Sequence, residues 1–143
     1  MRLPSITLKA GHVQPVWAGH PWVYAQAVAS LEGGARPGDE VVVRDPRGTF
    51  LGRGFYTPGS AIAVRILLRD ETTPVDGELF RERIARALAR RAELHLPSAD
   101  TNAYRLVHAE GDGLPGLIVD VFDDFCILQL GTRGMKQREV LVL

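Results

Sequence analysis

Cysteine is almost missing from this chain. Cys126 is the single one among 143 residues, so no internal disulfide framework is available. No apolar run approaches the roughly 20 residues that cross a bilayer. The opening stretch, MRLPSITLKAG, has no long apolar core and no small-residue cleavage site, so no signal peptide is expected. These absences point to a cytoplasmic protein without a membrane partner. Net charge is also missing: 17 basic residues face 17 acidic ones, which on its own argues against a strongly basic nucleic-acid binder. His12, His20, His95 and His108 stand at no metal-ligand spacing with a cysteine. No nucleophile sits in a recognisable elbow. The GRGFYT stretch lacks the third glycine of a dinucleotide fingerprint, and a strand continues after it where a helix would be needed.

What is present describes an ordinary globular protein, 45% hydrophobic and 24% charged, long enough for one domain or two small ones. The charges are unevenly spread. Up to residue 69 there are 8 basic and 4 acidic residues; beyond it there are 9 and 13. Such a split hints at two units with different partners. Glycine and proline punctuate the first part. Strands are expected over Glu40–Arg44, Thr49–Tyr56 and Ala61–Leu68, separated by the turn sequences DPRG and TPGS. In the third strand Ile62, Val64 and Ile66 alternate with Arg65, which predicts one buried face. Gly52 and Gly54 flank Arg53 inside the middle strand. They mark a bend, a close approach of another backbone, or a backbone bared for a ligand phosphate.

The hydrophobic period changes from about residue 74. Phe80, Ile84, Leu88 and Ala92 are spaced four apart, with Leu79 and Ala87 beside them, and predict an amphipathic helix of about five turns. Asp76 is its expected N-cap. Arg81, Arg83, Arg86, Arg90 and Arg91 read as a solvated face or as a surface for nucleic acid. Strands follow over Tyr104–Ala109, Leu117–Phe122 and Phe125–Leu130, and Cys126 is expected to be a small buried thiol within the last. GTRGMKQREVLVL begins as a helix and stops inside it, as in a truncated chain. The fold class is therefore α+β: a small curled or barrel-like sheet over residues 1–70, then a helix and a β-meander over 71–143. Glu110, Asp112 and Asp120 form the best carboxylate cluster. They either organise a glycine-rich turn or act as a metal or acid–base site, the basis for a small metal-dependent hydrolase.

A further question is set by AGHPWVYAQAV at residues 18–28, where an imidazole, a rigid proline and an indole stand side by side. Pro21 fixes the backbone before Trp22, which serves as a core anchor or as a stacking platform for a base. Taken in order, GHPWVY, PGDEVVVRDPRGTFLGRGFYTPGSAIAVRIL and TNAYRLVHAEGDGLPGLIVDVF resemble the S-adenosylmethionine-dependent 23S rRNA (cytosine-C5) methyltransferases, over about residues 8 to 138. The resemblance implies an amino-terminal PUA-type RNA-binding domain and a central β-α-β linker domain. The cofactor-binding catalytic domain of that family is not matched, so no catalytic, cofactor or metal residue is carried over, S-adenosylmethionine belongs to the missing part, and the chain alone is expected to be inactive. RNA, 23S rRNA in particular, is the implied partner. A stand-alone PUA-type RNA-binding module and a homodimer stay open. The expected RNA-binding face includes Lys9, His20, Arg47 and Arg53: Lys9 and His20 by resemblance, Arg47 because a DPRG turn projects it, and Arg53 because its glycine neighbours leave it unshielded in sequence.

Overall fold

The computed structural model describes residues 2–143. The chain divides into two compact units, one ending at Thr73 and the other spanning Pro74–Leu143.

The first unit is a six-stranded sheet. Its strands are β1 (Ser5–Leu8), β2 (Trp22–Tyr24), β3 (Val28–Glu32), β4 (Glu40–Arg44), β5 (Phe50–Tyr56) and β6 (Ile62–Leu68), with a short helix α1 (Val13–Trp17) between the first two. The spatial order is β2-β6-β5-β4-β1-β3. All neighbours are antiparallel except β1 and β4, which run parallel. Burial alternates along β1 and β4, so Ile6, Leu8, Val41 and Val43 point inward. They join Val16, Val23, Ala27, Leu51, Val64 and Ile66 in one core. Burying each such aliphatic side chain contributes about 1.5–3 kcal/mol.

Simple alternation fails on β6, where Ala63, Val64, Ile66, Leu67 and Leu68 are all buried. The register explains it. Val23 pairs with Val64 and Tyr24 with Ile62, leaving Ala63 as an extra residue against β2. Arg53 pairs with Leu68 and Gly54 with Ile66, leaving Leu67 as an extra residue against β5. Each irregularity shifts the facing pattern and increases the local twist, and together they curl the sheet. Gly54 is required at the same place. A Cβ there would lie 2.7 Å from the carbonyl carbon of Arg65 and 2.9 Å from the Cα of Ile66. Both glycines of β5 are buried, Gly54 against the Arg65–Ile66 backbone and Gly52 against the Ile66 side chain and the Leu68 carbonyl, and are not bared for a phosphate.

The second unit opens with α2 (Gly77–Glu93), followed by the antiparallel meander β7 (Ala103–His108), β8 (Leu117–Phe122) and β9 (Phe125–Leu130), then two short helices, α3 (Arg133–Lys136) and α4 (Glu139–Val142). Asp76 caps α2 by accepting from the backbone N–H groups of Glu78 at 3.0 Å and Leu79 at 3.2 Å. Phe80, Val107, Leu114, Leu117 and Met135 are fully enclosed. The predicted helical stripe is only partly the buried one. Leu79, Phe80 and Ala87 are inside, whereas Leu88 is 47% exposed and Ala92 also faces out. Cys126 is exposed, not buried: the first three residues of β9, itself an edge strand, all face out.

Candidate nucleic-acid interface

The topology of the first unit gathers several expected contact residues at one end of the curled sheet. Thr7 is level with Arg44 on the parallel pair β1 and β4, so Lys9 and the turn carrying Arg47 leave the sheet at the same end. β5 starts there and β6 finishes there. β2 runs antiparallel to β6 and begins opposite its middle residue, with Trp22 across from Arg65, and Arg69 just past β6 bonds the His20 carbonyl, which brings the start of the GHPW segment to that end too. Lys9, His20 and Arg47 are all exposed.

The Arg47 turn is held from below. Asp45 accepts from the backbone N–H groups of Arg47 and Thr49, both at 2.8 Å, and Gly48 takes a positive φ of 87°. Partial burial pushes the Asp45 carboxyl up. The bonds from Thr49 and Arg47 more than reverse this and hold it below the ordinary carboxylate value. Arg44 donates to the Gly48 carbonyl and pairs with Glu71, both at 3.0 Å. The Arg47 side chain is left to project outward.

Arg53 has the opposite disposition. It is only 6% exposed. Its Nη1 pairs with Glu40 at 2.9 Å, its Nε donates to the Asp70 carbonyl at 3.0 Å, and its Nη2 donates to the Thr73 carbonyl. A guanidinium so engaged is a structural clamp between strands and the following loop, so Arg53 leaves the expected contact face. Asp70 reinforces that loop. Backbone N–H groups of Thr73 and then Thr72 hold its carboxyl down at about 2.

Arg69 was not singled out from the sequence. Its Nη1 donates to the carbonyls of Val16 at 2.7 Å and Leu51 at 3.1 Å, and its Nη2 to the carbonyl of His20 at 2.8 Å. It thereby staples α1, β5 and the GHPW segment together, and burial lowers its pKa from the usual guanidinium value. The only sequence signal was a charge directly after an apolar strand.

The GHPW segment itself turns at Gly19, with φ 105°. The Pro21 carbonyl accepts from Ile66 N–H at 2.7 Å, fixing the segment to β6. Val23, wholly buried, is the anchor. Trp22 is not a core anchor: it lies half-buried on the outer face, with the Arg65 guanidinium 5.5 Å from its ring centroid. His20 Nδ1 lies 3.2 Å from the Trp22 backbone N–H.

In the second unit the carboxylates do not converge. Asp112 is bound by Arg91 through two 2.8 Å contacts, by Arg90 at 3.0 Å and by the His108 N–H at 2.7 Å. Asp120 is held by Arg105 at 2.8 and 2.9 Å. Among the described residues no group of three or more His, Cys, Asp or Glu could hold a metal. The hydrolase reading of Glu110, Asp112 and Asp120 is thereby overturned: two of the three carboxylates are committed to different arginines. Arg83 and Arg91 are likewise turned onto the Gly113 and Arg105 carbonyls and Asp112, whereas Arg90 reaches the Gly111 carbonyl and Asp112 with its side chain still 52% exposed.

Residues 6–69 match the family model of a PUA-like domain. Over more of its length the chain is similar to ribosomal RNA large subunit methyltransferase I. It is 44% identical to the protein of that name from Alteromonas mediterranea over 124 residues, covering 86% of this chain and 31% of that protein. With the Salmonella arizonae protein of the same name the identity is 38% over 140 residues, covering 97% and 34%. The chain thus spans about a third of the length of these curated relatives. Among solved structures, a SAM-dependent methyltransferase candidate from Streptococcus mutans superimposes with a TM-score of 0.83 at 15% identity, over 96% of this chain and 35% of that one. That likeness is one of fold. No helix among the described residues is long and apolar enough to cross a membrane.

Proposed function

We propose that this chain is the RNA-binding amino-terminal part of an S-adenosylmethionine-dependent rRNA methyltransferase, with cytosine C5 of 23S rRNA as the target. The carrying observation is the PUA-like unit, with Lys9, His20 and Arg47 at one end of its sheet, in a chain similar throughout to a third of an rRNA methyltransferase. The residues present do not fit the cofactor. A dinucleotide-type or SAM-type site needs a parallel strand, a glycine-rich loop and a helix N-terminus in succession. Here β7, β8 and β9 form an antiparallel meander, with the loop 109–116 between the first two and a tight turn between the last two, and the α2 N-terminus is already occupied by Asp76. On this reading, methyl transfer is the work of the part of the relatives that this chain does not span.

Two measurements test this reading. Titration with a 23S rRNA fragment across salt concentrations is expected to give weak binding whose logarithmic slope corresponds to about two to four phosphate contacts. A salt-independent affinity overturns it. Incubation of the chain with labelled S-adenosylmethionine and unmodified 23S rRNA is expected to transfer no methyl group; transfer above background refutes the assignment of catalysis elsewhere.

A further inference from the structure

His20, Trp22 and Tyr24 occupy alternate positions, and Val23 between them is fully buried. Period-two geometry puts the three rings on the outer face of β2, an edge strand of its sheet. The rings touch in sequence. His20 and Trp22 meet edge-on at 5.9 Å between centroids, Trp22 and Tyr24 at 6.4 Å, and His20 and Tyr24 lie tilted at 6.1 Å. His20 is exposed, Tyr24 is 41% exposed, and half-buried Trp22 supports both. Arg65, opposite Trp22 on β6, places its guanidinium against the indole. The backbone under this cluster is pinned by Arg69 on the His20 carbonyl and by the Pro21 carbonyl on Ile66. Aromatic faces on a rigid strand beside a cation form the surface that binds unstacked bases, because every base has a π-face and its phosphate follows the charge.

From this we infer that the His20–Trp22–Tyr24 face is a stacking platform for an unpaired RNA base, on the same unit as the proposed phosphate contacts Lys9 and Arg47. The inference rests on the RNA-binding reading above and adds what kind of RNA is taken: single-stranded, in preference to duplex. The wholly polar alternative, a phosphate-only contact, would give no preference between the two.

The test uses the full 143-residue chain in a Trp17→Phe background, leaving Trp22 as the single indole. The probes are octaadenylate and a blunt RNA duplex of equal phosphate number. Octaadenylate is expected to quench Trp22 fluorescence saturably and to bind more tightly than the duplex. His20→Ala and Tyr24→Ala are each expected to weaken octaadenylate binding about fivefold or more, the lower bound for one stacked base. Duplex affinity should change less than about twofold, and Tyr24→Phe should bind octaadenylate like the parent. Lys9→Ala and Arg47→Ala should weaken both probes alike. Unchanged melting of the variants secures the comparison. Equal loss for both probes in the aromatic variants, or loss in neither, overturns the platform while leaving RNA binding intact. Failure of both probes to bind overturns the platform and the RNA-binding reading together. Self-association that Tyr24→Ala abolishes assigns the face to a second copy of the chain and also overturns it.

Discussion

Asp112→Ala should unfold the second unit while leaving the first standing. The Asp112 side chain is 2% exposed, and Arg91 beside it is 15% exposed. Removing the carboxylate takes both 2.8 Å contacts from the largely buried Arg91 guanidinium, which keeps the Arg105 carbonyl, and takes a 2.7 Å acceptor from the His108 N–H. Breaking one side of a buried ion pair costs about 3–5 kcal/mol. At about 4–8 °C per kcal/mol for a unit of this size, the midpoint falls by at least about 12 °C. The two units can be followed separately. Trp17 and Trp22 both lie in the first, so tryptophan fluorescence reports that unit alone. Ellipticity at 222 nm is dominated by the 17-residue α2 of the second. The expected outcome is an early loss of ellipticity with an unchanged fluorescence transition. Asp112→Asn keeps an acceptor for His108 and should cost less. An ellipticity midpoint within about 1 kcal/mol of the parent refutes the reasoning, because a loss that small belongs to an exposed ion pair and not a buried one. The acid limb follows from the same site. Burial pushes the Asp112 carboxyl up, but Arg91, His108 and Arg90 bring it below its unfolded value of 3.8. Its contribution is then complete above that value and lost as pH falls through the lower folded pKa.

In the first unit, Gly54→Ala sets a methyl group against the Arg65 backbone, which cannot swing aside, and should lower the fluorescence midpoint by about 1–3 kcal/mol; an unchanged midpoint refutes the close approach. Asp70 has its pKa held at about 2 by the Thr73 and Thr72 amides, against 3.8 unfolded, so its stabilisation is full above about pH 4 and disappears toward pH 2. Asp70→Asn should therefore flatten the fluorescence-monitored acid transition across that interval, and a wild-type profile would count against it. Arg53→Ala should lower the melting temperature of the first unit without altering RNA affinity of the folded fraction, whereas Arg47→Ala should weaken RNA binding at constant melting temperature. The reversed pattern in a paired melting and binding experiment would return Arg53 to the contact face.

Much of the architecture was legible because local chemistry and tertiary structure agree. Asp-Pro-Arg-Gly makes a turn wherever it stands, and Asp76 before an apolar period caps a helix by simple reach. The α2 stripe was harder. Hydrophobic periodicity counts Leu88 and Ala92 as inward and arginine as outward. In the fold, Arg83, Arg90 and Arg91 deliver their guanidinium groups to Asp112 and to the carbonyls of Gly111, Gly113 and Arg105, and Leu88 is left exposed. The long arginine stem lets a charged residue take a position on the packed side provided acceptors wait at its end. Those acceptors come from β7 and the loop after it, 14 to 30 residues away, which no window along the helix contains. β6 was misread for a related reason: the extra residues Ala63 and Leu67 exist only relative to its neighbours.

The candidate interface shows the same limit in sharper form. Arg47 and Arg53 are six residues apart and chemically identical, and both were expected outside. A turn fixes Arg47 from its own sequence, because Asp45 closes the loop locally and the side chain has nowhere to go but out. Arg53 seemed unshielded because glycines flank it. Yet Gly54 is there because the β6 backbone passes too close for a side chain, and Arg53 beside it is enclosed by Glu40 and by the Asp70 and Thr73 carbonyls of the loop that follows β6. With Arg53 and Arg69 turned to internal carbonyls and Arg44 paired with Glu71, the end of the sheet keeps few cations for phosphate. Electrostatic attraction alone would then give only weak RNA binding. Any substantial affinity of this unit must come from contacts that salt does not screen, and the exposed rings of His20 and Tyr24 are the surface placed to supply them.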